Sequence, residues 1–215
     1  MVDHSMIEEF DITHGHYEER HAGLAWRIVD AWRDMGTSTR RLIREDPAEG
    51  RLLFYVLMAD IVVFLSWTLK TVVVPHPAAP MPVQVSIVLV LILMGRTALM
   101  YSFAGISGFV LRALGGQGSY RDTRAGVFWG AFVAAPFSLA VALITVGLAM
   151  VQGADAPDWY VIPLYWVSLV PFIWFISGGL GEAQRMRVAP IFLVLSVLTV
   201  ATLFVALVAS GRGII

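Results

Sequence analysis

Residues 125–151 read AGVFWGAFVAAPFSLAVALITVGLAMV, a run of 27 residues without one charged side chain. An α-helix needs roughly 20 apolar residues to cross a hydrocarbon core about 30 Å thick, so this run is long enough to do so. Soluble folds rarely contain an apolar segment of this length, because their helices keep a polar face toward water. The run therefore predicts a transmembrane helix.

The rest of the chain has the same character. Of its 215 residues, 58% are hydrophobic and 14% are charged, against about 45–50% and about 25% in an average soluble protein. Four further apolar segments lie at 52–74, 83–111, 160–181 and 189–209. Strands of a membrane barrel would show alternating runs of about ten residues instead. The sequence predicts an all-α, polytopic membrane protein with five transmembrane helices.

The chain is predicted to have three parts. The main boundary follows residue 51, because residues 1–51 hold 11 of the 16 acidic side chains. Residues 1–21 form an acidic leader that contains histidines, and 22–51 are predicted to be a cytoplasmic or interfacial helix with a linker. Residues 52–211 form the five-helix domain.

Apolar residues recur at helical spacing within 22–44, at Leu24, Ile28 and Trp32, and charged residues occupy the other faces. This pattern favours one amphipathic helix under the cytoplasmic leaflet. A helix packed on the loops of the bundle is the alternative. In either case Asp46-Pro47 is expected to end or turn it.

Orientation follows from arginine and lysine near the segment ends, since loops rich in these residues stay cytoplasmic. Nine such residues flank one side and two flank the other. The sequence therefore predicts a cytoplasmic N-terminus and an external C-terminus. Arginine outnumbers lysine 14 to 1, a usage typical of GC-rich bacterial genomes, so the expected location is a bacterial inner membrane.

Two charged residues lie deep inside the apolar segments, Asp60 in the first and Arg96 in the second, whereas Lys70 lies near the end of the first. Asp60 and Arg96 each cost about 2.5–3.5 kcal/mol on insertion scales when they have no partner. A structural ion pair between them is one interpretation. Arg96 bound to backbone carbonyls or a lipid is another, and an ion-translocating site is a third.

Several classes of function find no support in the sequence. A net charge of -1 gives no field to attract nucleic acid. The chain has no cysteine and no motif of a hydrolase or metalloprotease, so we predict neither catalytic residues nor a cofactor. His14, His16 and His21 are weak candidates for a metal site, and a solvated or partner-docked tail is the simpler interpretation.

The connection after the second apolar segment is rich in glycine. Gly115, Gly116 and Gly118 permit positive φ and close backbone approach, and Ser119 is placed to cap the next helix. A tight turn is the simple interpretation. The alternative is an anion nest, in which the loop N–H groups together with Arg112, Arg121 and Arg124 hold a phosphate or a lipid headgroup.

Small residues also recur four positions apart in the membrane segments, as at Gly126 and Gly130. Such spacing allows close helix contact. It predicts packing within the bundle or, alternatively, a face for a second protein.

Two stretches resemble the Yip family of multi-pass membrane proteins, whose eukaryotic members bind prenylated Rab GTPases. The first is Leu114-Gly115-Gly116-Gln117-Gly118-Ser119-Tyr120, followed by Arg121. The second runs from Gly179 to Ala189 and includes Gly181, Glu182 and Met186. The resemblance implies five helices with a cytoplasmic N-terminus. It does not bring the Rab partner to a bacterial chain.

These observations predict a non-enzymatic inner-membrane protein that organises or assists other membrane components. Its expected partners are membrane lipids and another integral membrane protein or complex, or a second copy of itself. The alternative is a small transporter or channel component built around Asp60 and Arg96.

Overall fold

The computed structural model describes residues 23–73, 85–152 and 161–211. Within these residues the chain forms seven helices and no strand. They are α1 (Leu24–Arg33), α2 (Met35–Arg44), α3 (Glu49–Val73), α4 (Val85–Ala113), α5 (Tyr120–Gln152), α6 (Val161–Gln184) and α7 (Val188–Gly211). Each of α3 to α7 contains a stretch long and apolar enough to cross a membrane. The predicted all-α, polytopic fold is confirmed.

Several helices begin before their apolar runs. The third membrane helix starts at Tyr120 rather than 125, because Ser119 caps it: the Asp122 N–H donates to Ser119 Oγ (3.1 Å). The first starts at Glu49 rather than 52. Hydropathy locates the first residue of an apolar run, whereas the capping hydrogen bonds determine the first residue of the helix.

The segment predicted as one amphipathic helix over 22–44 is two helices. Asp34 between them has extended backbone angles, φ -146° and ψ 92°. Its side chain accepts a hydrogen bond from the Thr37 N–H (3.0 Å), so it caps α2. Capping by a short acidic side chain here overrides the apolar periodicity that runs across the break.

The α1–α2 hairpin packs on the membrane helices. Met35 and Leu42 belong to the same buried cluster as the bundle core. Trp32 Nε1 donates to the Val133 carbonyl in α5 (2.9 Å). Trp26 in α1 nevertheless stays 66% exposed. The hairpin therefore packs one face on the bundle, while the apolar side chain of Trp26 stays exposed.

The centre of the bundle is the α5–α6 pair, which makes the most extensive contact in the fold. A Cβ added at Gly126 would collide with the Gly179 carbonyl, and one added at Gly179 would collide with the Gly126 carbonyl. One added at Gly130 would lie 2.8 Å from the Phe175 carbonyl oxygen. Van der Waals packing rather than water exclusion holds membrane helices together, so such close approach is what stabilises the pair.

The other membrane helices surround this pair. α3 packs on α5 through an aromatic cluster in which the Tyr55 ring centroid lies 5.1 Å from that of Trp129 and 5.5 Å from that of Phe132. α4 contacts mainly α5 and α3, and α7 contacts only α6 among the described helices. α4 and α7 are therefore peripheral.

Candidate functional site: an intramembrane charge pair and two docked loops

Asp60 in α3 and Arg96 in α4 lie together. Arg96 Nε is 2.5 Å from Asp60 Oδ1, and Thr97 Oγ1 donates to Asp60 Oδ2 (3.1 Å). The Asp60 side chain is fully buried, whereas 24% of the Arg96 side chain remains exposed. Of the three interpretations of these charges, this is the geometry of the structural ion pair.

The offset between the two helices lets these charges meet. Tyr101 OH donates to the Glu49 carboxylate (2.8 Å), which ties the middle of α4 to the first turn of α3. The remainder of α4, to Ala113, therefore runs on past the start of α3. At a rise of 1.5 Å per residue this last part is about 18 Å long, and it shifts Arg96 toward the level of Asp60.

The surroundings of the pair are apolar. A groove of about 470 Å³ opens beside Arg96 and is otherwise lined by Leu99, Met100, Phe103, Phe172 and Ile176. A second groove, between α3 and α4, has Thr97 and Tyr101 as its polar lining residues. None of the described residues that line either groove carries a carboxylate. An ion path normally has more polar lining than this.

The two stretches that resemble the Yip family dock on each other. The Gln117 N–H donates to the Gln184 carbonyl (3.1 Å), and the Gly118 N–H donates to Gln184 Oε1 (3.1 Å). Gln184 Nε2 in turn donates to Thr123 Oγ1 (2.6 Å). Gln184 is completely buried, so it joins the first loop, α5 and the end of α6.

Sequence reasoning missed the role of Gln184. Its neighbours were noted only as a motif, and a glutamine at the end of an apolar segment carries no signal of its own. The one available hint is that both loops were expected on the same side of the membrane.

The glycines of the first loop serve two different purposes. Gly115 has a positive φ of 101°, which glycine adopts at no steric cost. Gly116 and Gly118 are needed for space instead. A Cβ at Gly118 would collide with the Ala183 carbonyl, and one at Gly116 would lie 2.6 Å from Gln184 Oε1.

The same loop offers no free N–H groups for an anion nest. The Gly116 N–H donates to the Leu111 carbonyl (2.8 Å), and the Ser119 N–H donates to Asp122 Oδ2 (3.0 Å). Those of Gln117 and Gly118 are bonded to Gln184, as described above. The structure therefore agrees with the tight turn and not with the anion nest.

Two arginines near this loop hold the start of α3. Arg121 Nη1 lies 2.7 Å from Asp46 Oδ1, and its Nη2 donates to the Pro47 carbonyl (2.9 Å). Arg124 pairs with Glu49 at 3.0 Å. Both cations are thus engaged within the chain.

The second motif also has a defined structure. Glu182 pairs with Arg40 of α2 (2.6 Å), and this hydrogen bond raises the pKa of the Arg40 guanidinium. The Met186 N–H donates to the Gly181 carbonyl (2.8 Å), closing the turn after α6, and Arg185 in that turn has a φ of 55°. Glu182 therefore fastens the hairpin to the bundle.

The histidines considered for a metal site, His14, His16 and His21, lie outside the described residues. Within the described ranges no group of three or more histidine, aspartate or glutamate side chains is placed to hold a metal ion.

Fold and site together define an all-α, multi-pass membrane protein with an internally neutralised charge pair. Comparison with protein-family models found no match, and no curated protein or solved structure showed significant similarity to this chain.

Proposed function

We propose that this protein is a non-enzymatic, accessory or organising partner of other components of a bacterial inner membrane, in the manner of a Yip-like protein. Its N-terminus is cytoplasmic and its C-terminus external in this proposal. The nine-to-two bias of basic residues supports that orientation.

The observation that carries the proposal is the outer face of α4, which no other described part of the chain covers. Only 6% of the residues in its apolar window are buried, against 44% in α5 and 50% in α6. Gly95, Ala98, Ser102 and Gly105 are all exposed. They lie within one arc of the helix at 100° per residue, and such a face lets another helix approach closely.

Transport is the alternative function, and it is less well supported. The groove at Arg96 is otherwise apolar, and Asp60 is already neutralised by Arg96. A site built to move ions needs exchangeable polar ligands, and both charges here are committed to each other.

Site-specific crosslinking can test the accessory role. A photoreactive amino acid at Ala98 or Ser102 should crosslink to a protein, either a second copy or a distinct membrane protein. Gly95→Leu combined with Gly105→Leu should abolish that crosslink, because bulky side chains fill the flat face. Ala104 is fully buried on the same helix, so the same probe there is the matched control and should give no intermolecular product.

Two results would contradict the proposal. The first is a probe at Ala98 and Ser102 that reacts with lipid alone. The second is an ion flux in proteoliposomes that Asp60→Asn with Arg96→Met abolishes, which would establish the transporter instead.

A further inference from the structure

A third groove runs between α4 and α7 at the end of the bundle that carries the docked loops. α4 packs mainly on α5 and α7 packs on α6, and the two do not contact each other within the described residues. The gap is lined by α4 side chains from Phe103 to Val110, by Leu180 on its floor and by α7 side chains from Pro190 to Leu198. We call it the α4–α7 groove.

The α4–α7 groove is narrow and apolar. Its volume is about 320 Å³, and among the described residues that line it only Ser107 has a side-chain hydroxyl. The α4 residues that line it, from Phe103 to Leu111, extend over about 12 Å at 1.5 Å per residue, so the groove is elongated along the helix. The dimensions suit a single hydrocarbon chain.

Positive charge stands at one end of the groove. Met186 lines that end, and both of its neighbours, Arg185 and Arg187, are exposed. Arg112, also exposed, lies between the lining residues Leu111 and Leu114 and has its guanidinium 4.8 Å from the Tyr120 ring centroid.

These three arginines differ from the others near the docked loops. Whereas Arg40, Arg121 and Arg124 are each paired with a carboxylate, no ion pair joins Arg112, Arg185 or Arg187 to a carboxylate of the described residues. Their charge is therefore available to an external anion.

We propose that the α4–α7 groove binds one acyl chain of an anionic phospholipid, whose phosphate lies at Arg185, Arg187 and Arg112. The apolar groove and the cationic end together match the two halves of such a molecule. Zwitterionic lipid shares the acyl chain but lacks the net charge. The site goes beyond the accessory role and does not depend on it.

Binding to the purified full-length protein in neutral detergent tests the proposal. Native mass spectrometry with phosphatidylglycerol and phosphatidylcholine of identical chains should show tighter binding of the anionic lipid. Arg185→Gln with Arg187→Gln should weaken phosphatidylglycerol by about 25-fold, since each arginine near an anionic headgroup contributes about fivefold. Arg33→Gln with Arg44→Gln removes two exposed charges from the hairpin and is the matched control; it should leave binding unchanged.

The acyl-chain half is tested by filling the groove. Ser107→Trp should abolish retention of either lipid, whereas Ser102→Trp, on the exposed face of the same helix, should not. Phosphatidylglycerol with a photoreactive acyl chain should label residues 103–114 and 186–198 in the unmodified protein, which gives a result even if Ser107→Trp does not fold. Equal binding of the two lipids, or labelling elsewhere, would overturn the proposal. So would a protein helix crosslinked into the groove from a probe at Val194.

Discussion

Asp60 and Arg96 show how one pair of side chains constrains a membrane fold. Either charge alone costs about 2.5–3.5 kcal/mol at the centre of a transmembrane helix, yet together they sit 2.5 Å apart with Thr97 on the second carboxylate oxygen. The pair fixes the relative depth of α3 and α4. We therefore expect the pair to determine the relative position of α3 and α4 along their axes as well as to contribute to stability.

Removing one partner should destabilise the protein far more than removing both. We expect Asp60→Asn or Arg96→Met alone to lower the free energy of unfolding by about 3–5 kcal/mol, because each leaves a charge in a low-dielectric site. The double variant should recover much of this loss. Thermal unfolding of the three variants in detergent gives the coupling energy.

Thr97→Val is the comparison for that cycle. It removes one hydrogen bond and no charge, so it should cost about 0.5–1.5 kcal/mol. Purely additive losses in the charge variants would show that the two side chains do not act as a pair.

Asp34 is predicted to make the hairpin sensitive to acid. Hydrogen bonds from Thr37 lower the pKa of this carboxyl below its ordinary value of 3.8. Its contribution should thus be complete above pH 3.8 and be lost as pH falls through the depressed pKa. Asp34→Ala should cost about 0.5–2 kcal/mol at neutral pH, and the difference from wild type should shrink in acid. Thermal unfolding across this pH range measures it.

Asp30→Asn removes the same charge from α1 without removing a helix cap, so it should have little effect on that difference. A loss from Asp34→Ala that stays constant down to the lowest pH would contradict the assigned role.

At the scale of the element, α5 and α6 are joined backbone to backbone. Gly126 and Gly179 face each other with no room for a Cβ on either. A side chain in contact with an added Cβ can change rotamer, but a carbonyl oxygen cannot move away without breaking a hydrogen bond of its own helix. These glycines should therefore tolerate substitution least.

Gly126→Val should prevent the close approach and destabilise the bundle by about 1–3 kcal/mol or more. Gly147→Val is the matched control, since Gly147 lies on the same helix with no atom within 4 Å of an added Cβ. Both changes introduce the same side chain into α5. Equal midpoints of thermal unfolding for the two variants would show that the contact carries little energy.

The whole molecule is asymmetric from end to end. The hairpin, both docked loops and their ion pairs gather at one end, and they connect α2, α3, α5 and α6 through Glu182, Arg121 and Arg124. Within the described ranges, the outer faces of α4 and α7 are left uncovered by the rest of the chain. Ion pairs thus join the helices at one end of the bundle, whereas few contacts hold its peripheral helices.

The orientation can be measured directly because the chain has no cysteine. Arg187→Cys should react with a membrane-impermeant maleimide only after the cells are permeabilised, whereas Asp155→Cys should react in intact cells. Asp155 precedes α6 in the sequence and Arg187 follows it. The two positions must therefore be labelled from opposite sides of the membrane if that helix spans it. Labelling in the reverse pattern would invert the proposed topology, and equal labelling would contradict the span.

The sequence by itself determined the number and class of the membrane helices. Uninterrupted apolar runs such as 125–151 have one stable solution in lipid, because every backbone N–H and C=O must then be bonded within the helix. The Ser119 cap was likewise predictable, since it depends on residues three positions apart. These features are local, so one segment of sequence contains all of their cause.

Only the tertiary structure decided what those segments contact. Whether Arg96 meets Asp60 depends on the offset between α3 and α4, an offset that the Tyr101–Glu49 hydrogen bond also requires, and no periodicity encodes it. At Asp34 the cap that divides the two helices is local, but the burial of Met35 beside it depends on the bundle surface. Gln184 could not be found at all from spacing, because its partners Gly118 and Thr123 lie 66 and 61 positions away. Contacts between distant segments depend on how the helices pack, and that packing is a property of the assembled bundle rather than of any one stretch of sequence.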